Sequence, residues 1–318
     1  MTMDEPLHEI EMRFVYGRTL AEMAEEDDRI VVVEADLSKA SGTTPAFSQA
    51  HPDRFVNVGV AEANMIGIGA GLAVEGKIPF CASFTPFASR RVYDQVTISV
   101  AYANANVKIV GTAPGITTGP NGGTHMCFQD LAIMRVMPNM GVLSPCDCYE
   151  LRSCLHWMAR HEGPVYMQLV RLKQRAVFDE SYRFSAERCV RLHEGGDVTL
   201  VSTGYMTPFA LEAAKALEAE GVAVDLLHYP CVKPFDAETL VESAGRTGRV
   251  VTVENQSILG GLGGAVCEVL AERRPTPVKR LGVPDRFGEV ASEEYLFEKH
   301  GFGVRHIEQA CREPRQGD

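Results

Sequence analysis

The sequence predicts an α/β protein of two domains, each built on a mostly parallel sheet with helices on both faces. Its 318 residues suffice for two domains of ordinary size. Hydrophobic residues form 45% and charged residues 23% of the chain, close to the average of soluble globular proteins. Short β-branched runs alternate with amphipathic segments in two blocks, and this alternation is typical of parallel strands joined by helical crossovers.

The first block is predicted to form a domain over residues 1–175. The run Ile30–Val33 is short, continuous and β-branched, as expected of a strand buried on both faces of a parallel sheet. Glycine, threonine and proline dominate residues 113–124, which are therefore predicted to be a loop. Further strands are predicted at residues 55–58, 78–81, 107–111, 141–143 and 165–169, and helices at 14–24, 62–74, 92–105, 128–135 and 147–160.

A polar, irregular stretch separates the two blocks and is predicted to be a linker over residues 176–195. Within it, residues 181–192 have the pattern of an edge strand, and Gly195-Gly196 marks the boundary. The second domain is predicted over residues 196–318 and repeats the alternation of the first. Its strands are predicted at residues 198–202, 222–227 and 250–253, and its helices at 208–220, 236–244, 262–273 and, with a break at 301–303, 293–311.

The charge and cysteine content narrow the class of protein. The chain has 31 Lys and Arg residues against 42 Asp and Glu residues, a net charge of −11, which argues against nucleic acid and anionic membranes as main partners. No apolar stretch approaches the ~20 residues of a membrane helix, and the acidic N-terminus lacks the apolar core of a signal peptide. The 9 cysteines have mostly apolar neighbours, so we expect reduced thiols and a cytoplasmic location.

Two motifs resemble ligand-binding sites, one for a metal and one for a dinucleotide, but neither has the full pattern. Cys146, Cys148, Cys154 and His156 lack the paired Cys-x-x-Cys spacing of a zinc site, so no metal site is predicted in this chain. The stretch Gly261-Leu-Gly-Gly-Ala-Val266 resembles a dinucleotide fingerprint, but valine stands at its sixth position. These glycines are more simply explained by a tight turn and close helix packing.

Three features carry chemistry in combination. Glu62 lies in the first turn of a small-residue helix, where an acid is either a partner of the helix dipole or a buried functional acid. Phe84 and Phe87 lie three apart at a strand-to-helix junction, as core residues or as an aromatic platform for a ligand. His125 closes the Gly/Thr-rich loop before a helix, as a polar cap or as a ligand-binding group. Residue type alone leaves each pair of alternatives open.

With their neighbours, these features resemble the C-terminal half of transketolase, as found in transketolases split between two genes. That family uses thiamine diphosphate. Its superfamily also contains deoxyxylulose-phosphate synthases and the beta subunits of 2-oxo acid dehydrogenases, so the resemblance leaves those alternatives open. The resemblance covers nearly the whole chain, as a pyrimidine-binding domain followed by the family's C-terminal domain. It rests on Glu34-Ala-Asp36-Leu37, Asn57-Val-Gly-Val-Ala-Glu62-Ala-Asn-Met, Ser83-Phe84-Thr-Pro-Phe87, Gly122-Gly-Thr-His125, Met137-Pro-Asn-Met-Gly-Val and Val253-Glu-Asn-Gln-Ser-Ile-Leu-Gly-Gly-Leu-Gly.

The resemblance implies how this chain would bind the cofactor. Glu62 would hydrogen-bond N1′ of the aminopyrimidine and favour the imino tautomer, whose exocyclic nitrogen removes the thiazolium C2 proton. Phe84 and Phe87 would stack on the aminopyrimidine. Asp36 and Leu37 match a pair of residues next to the cofactor.

The resemblance also implies a substrate side. His125 would bond the donor's hydroxyl or carbonyl oxygens, and Arg13 and Arg171 match positions that bind the sugar phosphate in transketolase. Two positions depart from the family's pattern. Ala113 stands where transketolase has a substrate-facing histidine, and Asn121 stands where it has an aspartate, so we expect a substrate other than the standard pentose phosphates.

The missing diphosphate motif predicts a partner subunit. The family holds Mg²⁺ and the diphosphate through a Gly-Asp-Gly motif with a following asparagine, and this chain contains no Gly-Asp-Gly. A second chain, an N-terminal transketolase subunit, is expected to supply the Mg²⁺ ligands in an α₂β₂ enzyme. The predicted activity is transfer of a two-carbon ketol unit from a ketose to an aldose. A non-catalytic assembly subunit is the alternative of another class.

Overall fold

The computed structural model describes residues 6–313 and contains two sheets flanked by helices. The strands are β1 (Ile30–Glu34), β2 (Phe55–Asn57), β3 (Ile78–Phe84), β4 (Lys108–Thr112), β5 (Gly141–Leu143), β6 (Val165–Leu169), β7 (Val190–His193), β8 (Val198–Ser202), β9 (Val224–His228), β10 (Cys231–Lys233), β11 (Val250–Ser257) and β12 (Val278–Val283). The helices are α1 (Met12–Glu26), α2 (Ser38–Ser41), α3 (Ala46–Ala50), α4 (Glu62–Val74), α5 (Thr85–Ala88), α6 (Tyr93–Gln95), α7 (Asp130–Arg135), α8 (Cys148–Arg160), α9 (Thr207–Ala219), α10 (Ala237–Thr247), α11 (Leu262–Arg273), α12 (Glu293–His300) and α13 (Val304–Arg312).

The first sheet has seven strands in the order β10-β5-β6-β4-β3-β1-β2. All its neighbours pair in parallel except β10, which crosses from the second block and pairs antiparallel with β5. The second sheet has five strands in the order β12-β11-β8-β9-β7, with β7 as its antiparallel edge. The predicted pair of mostly parallel sheets is therefore confirmed, and β10 ties the second block to the first sheet.

Strands β1, β3, β4, β6, β8 and β9 are fully buried, in agreement with their continuous apolar runs. Helix α4 packs closely on β3 because Gly69 lies against the Cys81 side chain, where a Cβ would collide. The opposite side of α4 is also apolar but exposed, including Gly67, Gly71 and Val74. Among residues 6–313, no helix combines the length and apolarity needed to cross a membrane.

One local prediction was incomplete and another was wrong in its bounds. The predicted loop over residues 113–124 contains ordered 3₁₀ turns at Gly115–Asn121, closed by bonds such as Thr117 N–H to Pro114 O (3.2 Å). The predicted edge strand over 181–192 is ordered as a strand only at β7, where it meets β9. Glycine and proline indicate a change of chain direction but do not specify which turns form, and short strands depend on partners distant in sequence. Local composition therefore predicts neither the 3₁₀ turns nor the bounds of β7.

The predicted helix over residues 92–105 divides into three kinds of turn. A 3₁₀ turn at Arg90–Val92 leads into α6, and Val96–Tyr102 then continues as a π-helix. The apolar positions Val92, Val96 and Val100 are buried. Their spacing correctly identified one buried helical face, but it does not distinguish α from π turns.

Candidate functional site

The candidate site lies at the carboxyl edge of the first sheet. Strand β2 lies on one side of β1, and the next strand in the chain, β3, lies on the other side. The strand order therefore reverses at β1, and a topological switch point lies between β1 and β3. Ligands of open α/β sheets bind at such points, outside the carboxyl ends of the strands. Four predicted site positions lie at this edge: Asp36 after β1, Glu62 after β2, Phe84 at the end of β3 and Ala113 after β4.

Backbone strain marks two of these positions. Asp36 and Ala113 have φ angles of 61° and 56°, in the left-handed region that non-glycine residues rarely adopt. Asp36 is exposed, and Asn57 holds it by accepting the Asp36 N–H at 3.0 Å and donating to its carboxylate at 3.4 Å. Strain of this kind concentrates at functional sites, where the surrounding structure holds a side chain in place.

Glu62 is the first residue of α4 and only 5% exposed. Its Oε1 accepts a hydrogen bond from Arg91 Nη1 at 2.9 Å, and the Arg91 guanidinium lies 3.8 Å from the centre of the Phe87 ring. Among residues 6–313, no hydrogen bond uses Glu62 Oε2. A buried carboxylate with one fixed and one open oxygen is suited to bind a single further donor. Sequence reasoning missed Arg91, although it follows the Phe84-Thr-Pro-Phe87 motif by four residues.

Phe84, Phe87 and His125 form one aromatic cluster. The ring centres of Phe84 and Phe87 lie 6.2 Å apart. The His125 ring meets both nearly edge-on, at 5.9 Å from Phe84 and 5.4 Å from Phe87. Thr124 Oγ1 lies 2.9 Å from His125 Nδ1 and fixes the ring orientation. The structure therefore brings together the two aromatics and the histidine that sequence analysis singled out.

Arg171 and Arg13 flank this cluster. The Arg171 guanidinium lies 5.3 Å from the centre of the Phe84 ring. Burial lowers the pKa of Arg171, and the positive charge of Arg13 lowers it further. Within residues 6–313, Arg171 Nε is buried without a hydrogen-bond partner, whereas Arg13 bonds Glu11 at 2.6 Å. Two cationic groups held near each other, one with an unused donor, are suited to bind an anion.

Leu37 and Asn121 are less closely tied to the cluster. Leu37 is half-buried and immediately precedes α2, and its carbonyl oxygen accepts from Ala40 N–H (2.8 Å) and Ser41 N–H (2.9 Å). Asn121 is exposed at the last position of the 3₁₀ turns. Both side chains lie on segments that reach the carboxyl edge, and neither has a contact that identifies its role.

A buried acid, Glu34, ends β1 close to this edge. Its Oε1 accepts hydrogen bonds from Ser41 Oγ at 2.5 Å and Thr43 Oγ1 at 2.7 Å, and its Oε2 is buried without a partner among the described residues. Burial raises the pKa of Glu34 to about 7, against the opposing effect of these hydroxyls. Sequence reasoning noted Glu34 within a motif but gave it no role. The sequence signal that could have identified Glu34 as a buried acid is its position at the end of a β-branched run that is buried along its whole length.

A second polar cluster lies between the two blocks. Cys146, Glu150 and His228 are fully or almost fully buried, with their potential metal ligand atoms within 4.8 Å of one another. The Glu150 carboxylate already accepts hydrogen bonds from His228 Nε2 (2.8 Å), Tyr182 OH (2.6 Å) and Cys146 N–H (2.8 Å). These contacts explain the cluster as a buried hydrogen-bonded pair, Glu150 and His228, that joins α8 to β9. Of the four cysteine and histidine positions weighed in the sequence, only Cys146 belongs to it.

Both sheets of the chain match domains of known proteins. The family model "Transketolase, pyrimidine binding domain" matches residues 8–175, and "Transketolase, C-terminal domain" matches residues 187–307. A solved structure described as "Split gene transketolase, inactive beta4 tetramer" has a TM-score of 0.87 and 44% identity, covering 95% of this chain and 97% of that chain.

Two relatives differ in how much of their length is matched. The 6-deoxy-6-sulfo-D-fructose transketolase subunit SqwH of Clostridium sp. (strain MSTE9) is 50% identical over 307 residues, which are 96% of this chain and 95% of that protein. The 1-deoxy-D-xylulose-5-phosphate synthase of Heliobacterium modesticaldum (strain ATCC 51547 / Ice1) is 36% identical over 96% of this chain but only 47% of its own length.

Proposed function

Because the chain belongs to the transketolase family, we propose that it is the subunit of a split transketolase that binds the pyrimidine end of thiamine diphosphate. The observation that carries this proposal is buried Glu62 with an open carboxylate oxygen beside the Phe84 and Phe87 rings. An aminopyrimidine requires this combination, a hydrogen-bonding acid at one ring nitrogen and an aromatic surface against the ring.

The residues fit one end of the cofactor and not the other. The chain has no Gly-Asp-Gly motif, so we assign the Mg²⁺ and diphosphate ligands to an N-terminal transketolase subunit, in an α₂β₂ assembly. Val74 on the exposed apolar side of α4 is 82% exposed, and Val60 just before the helix is 76% exposed, which supports burial of this surface against another subunit. The relative described as an inactive β4 tetramer is consistent with a chain that requires an unlike partner for activity.

The proposed activity is transfer of a two-carbon ketol unit from a ketose to an aldose. When bound, thiamine diphosphate supplies carbanion stabilisation at its thiazolium carbon. Glu62 Oε2 holds the proton at pyrimidine N1′, while Arg91 fixes Oε1. Phe84 and Phe87 orient the pyrimidine, with Asp36 and Leu37 beside it, and His125 and Asn121 bind donor oxygens.

The substrate side favours a donor with an anionic end. Arg13 and Arg171 offer guanidinium donors next to the aromatic cluster, and phosphate and sulfonate both present oxygens that match this geometry. The relative at 50% identity is named for a sulfonated ketose, which supports a donor of that kind or a sugar phosphate. Ala113, 1% exposed, lacks the imidazole that the family's histidine offers the substrate, which supports a donor other than the standard pentose phosphates.

Binding of thiamine diphosphate tests the shared site. We expect calorimetric titration with Mg²⁺ to give binding only when this chain is mixed with a partner that carries the Gly-Asp-Gly motif. Ketol transfer from 6-deoxy-6-sulfofructose or fructose 6-phosphate to an aldose should then follow. Tight binding to this chain alone would contradict the shared site. Conversion of pyruvate instead of a ketose would favour a deoxyxylulose-phosphate synthase or 2-oxo acid dehydrogenase activity.

Replacement of Arg171 by Ala tests whether this arginine binds the anionic end of the donor sugar. We expect the KM of an anionic donor to rise about 10–100-fold, the effect of losing one hydrogen bond to a charged group. The kcat/KM for a neutral ketose such as erythrulose should change less than about threefold, because it has no anionic group for Arg171 to bind. Arg175→Ala is the matched control, since Arg175 is four residues away and pairs with Glu212. Equal losses for anionic and neutral donors would contradict the assignment.

A further inference from the structure

The loop that carries Asn121 and His125 rests on the second block. Its 3₁₀ stretch Gly115–Asn121 is largely buried, and Ile116 is completely so. Gly119 O accepts a hydrogen bond from Ala291 N–H at 3.3 Å, across the boundary between the blocks. The loop therefore takes part of its conformation from the C-terminal domain.

Asn255 makes the most specific of these contacts. It lies near the end of β11, is 4% exposed, and uses both ends of its side-chain amide. Its Oδ1 accepts from Ile116 N–H at 3.0 Å, and its Nδ2 donates to Pro114 O at 3.0 Å. Because one contact requires an acceptor and the other a donor, only one orientation of the amide satisfies both. The two hydrogen bonds hold the loop at Pro114 and Ile116, on either side of Gly115.

Gly115 allows this close approach. Its φ of 59° lies in the left-handed region, and a Cβ on it would overlap the Asn255 carbonyl oxygen. A larger residue would push the loop away from β11 and break the two amide contacts. Gly115 and Asn255 are therefore complementary, although 140 residues of sequence separate them.

The strand end that presents Asn255 is itself anchored. The preceding residue, Glu254, is fully buried and accepts backbone hydrogen bonds from Leu262 (2.9 Å) and Gly263 (2.7 Å) at the start of α11. The pairing of β11 with β12 is irregular between Val253 and Ser257, which redirects side chains at this point. Asn255 therefore lies at a strand end whose position is fixed by the contacts of Glu254 with α11.

We infer that Asn255 is a positioning residue, through which the C-terminal domain sets the substrate-facing loop from Ala113 to His125. The inference rests on the proposed ketol transfer for its catalytic consequence. Glu62, Phe84 and Phe87 belong to elements outside this loop and meet it only at His125, so Asn255 affects the substrate side much more than cofactor binding. Asn255 acts through Pro114 and Ile116, without touching substrate.

The test uses the complex of this chain with its partner subunit. Asn255→Ala is expected to lower kcat/KM for the donor about 10²-fold, the loss typical of a small misplacement of reacting groups, with thiamine diphosphate affinity unchanged within about twofold. Asn255→Asp retains an acceptor for Ile116 N–H but places a buried carboxylate oxygen against Pro114 O, so its loss should be at least as large as that of alanine. Hydrogen–deuterium exchange of residues 115–126 should rise at least tenfold in Asn255→Ala.

Gln256→Ala is the matched control. Gln256 is the next residue, is 2% exposed, and within residues 6–313 its side-chain amide has no hydrogen-bond partner. We expect it to leave exchange of residues 115–126 and kcat/KM near the wild-type values. Unchanged exchange and unchanged kcat/KM in Asn255→Ala would overturn the inference. So would parallel losses of cofactor affinity and stability, which indicate a general structural role. If the wild-type complex shows no ketol transfer, the proposed function fails, while the exchange measurement still decides whether Asn255 holds the loop.

Discussion

Glu62→Gln is expected to lower kcat of the assembled enzyme about 10²–10⁴-fold, the range typical of removing a proton-transfer group. Glutamine has nearly the shape of glutamate and retains an oxygen for Arg91 Nη1, so the 2.9 Å contact survives in an uncharged form. What is lost is the carboxylate that holds a proton at pyrimidine N1′. The substitution therefore separates chemistry from packing at a side chain that is 5% exposed.

The measurement is ketol transfer by the two-subunit enzyme, together with calorimetric titration of thiamine diphosphate. Cofactor affinity should fall much less than kcat, because the aromatic contacts and the partner's Mg²⁺ site remain. Glu75→Gln is the matched control, since Glu75 follows the same helix but is exposed. Full activity of the Glu62→Gln complex would remove Glu62 from the mechanism and favour the non-catalytic assembly subunit.

Sequence alone predicted the parts of the fold that depend on local pattern. The β-branched run at Ile30–Val33 became the buried β1, and the small-residue segment after Glu62 became α4 with the same bounds. Strand β10 was missed because its three residues gain their stability from pairing with β5, which lies far away in sequence. Short strands of this kind depend on tertiary partners more than on propensity.

The same distinction between local pattern and contacts of distant segments applies to the candidate site. The resemblance to transketolase grouped Glu62, Phe84, Phe87 and His125, and the structure brings the last three into one aromatic cluster. The pairing of Glu62 with Arg91 could not be predicted, because it depends on the turn geometry after α5. The contact of Asn255 with Pro114 and Ile116 joins two blocks, and no spacing in the sequence encodes it. Contacts between distant segments follow from the packed structure, which sequence patterns describe only in part.

The buried pair of Glu150 and His228 is expected to be the largest stability determinant between the two blocks. Burial alone would raise the pKa of Glu150, but His228 and the hydrogen bonds from Tyr182 and Cys146 N–H hold that pKa below its usual value. The folded state therefore favours the Glu150 carboxylate. Its contribution to stability is present above the pKa of the unfolded chain and is lost as the pH falls through the folded pKa.

His228→Ala should lower the free energy of unfolding by about 1–3 kcal/mol, because it leaves a fully buried carboxylate oxygen without its 2.8 Å hydrogen bond to the imidazole. Glu150→Gln should cost less, since the glutamine oxygen can still accept from Tyr182 OH. In the double variant, both members of the hydrogen-bonded pair are absent, so the loss should be smaller than the sum of the two single losses. Urea unfolding of the four proteins measures this cycle.

His193→Ala is the matched control, because His193 makes a similar 3.0 Å contact with Glu218, which is 63% exposed. An exposed pair of this kind contributes about 0–1 kcal/mol, so a loss of about 1–3 kcal/mol at His228 alone would identify burial as the cause. Metal analysis provides an independent check. A stoichiometric metal whose removal destabilises the wild-type protein as much as His228→Ala would mean that Cys146, Glu150 and His228 are ligands, and the interpretation as a hydrogen-bonded pair would be wrong. Additive losses in the cycle would contradict it as well, since two residues that interact directly are expected to give losses that do not add.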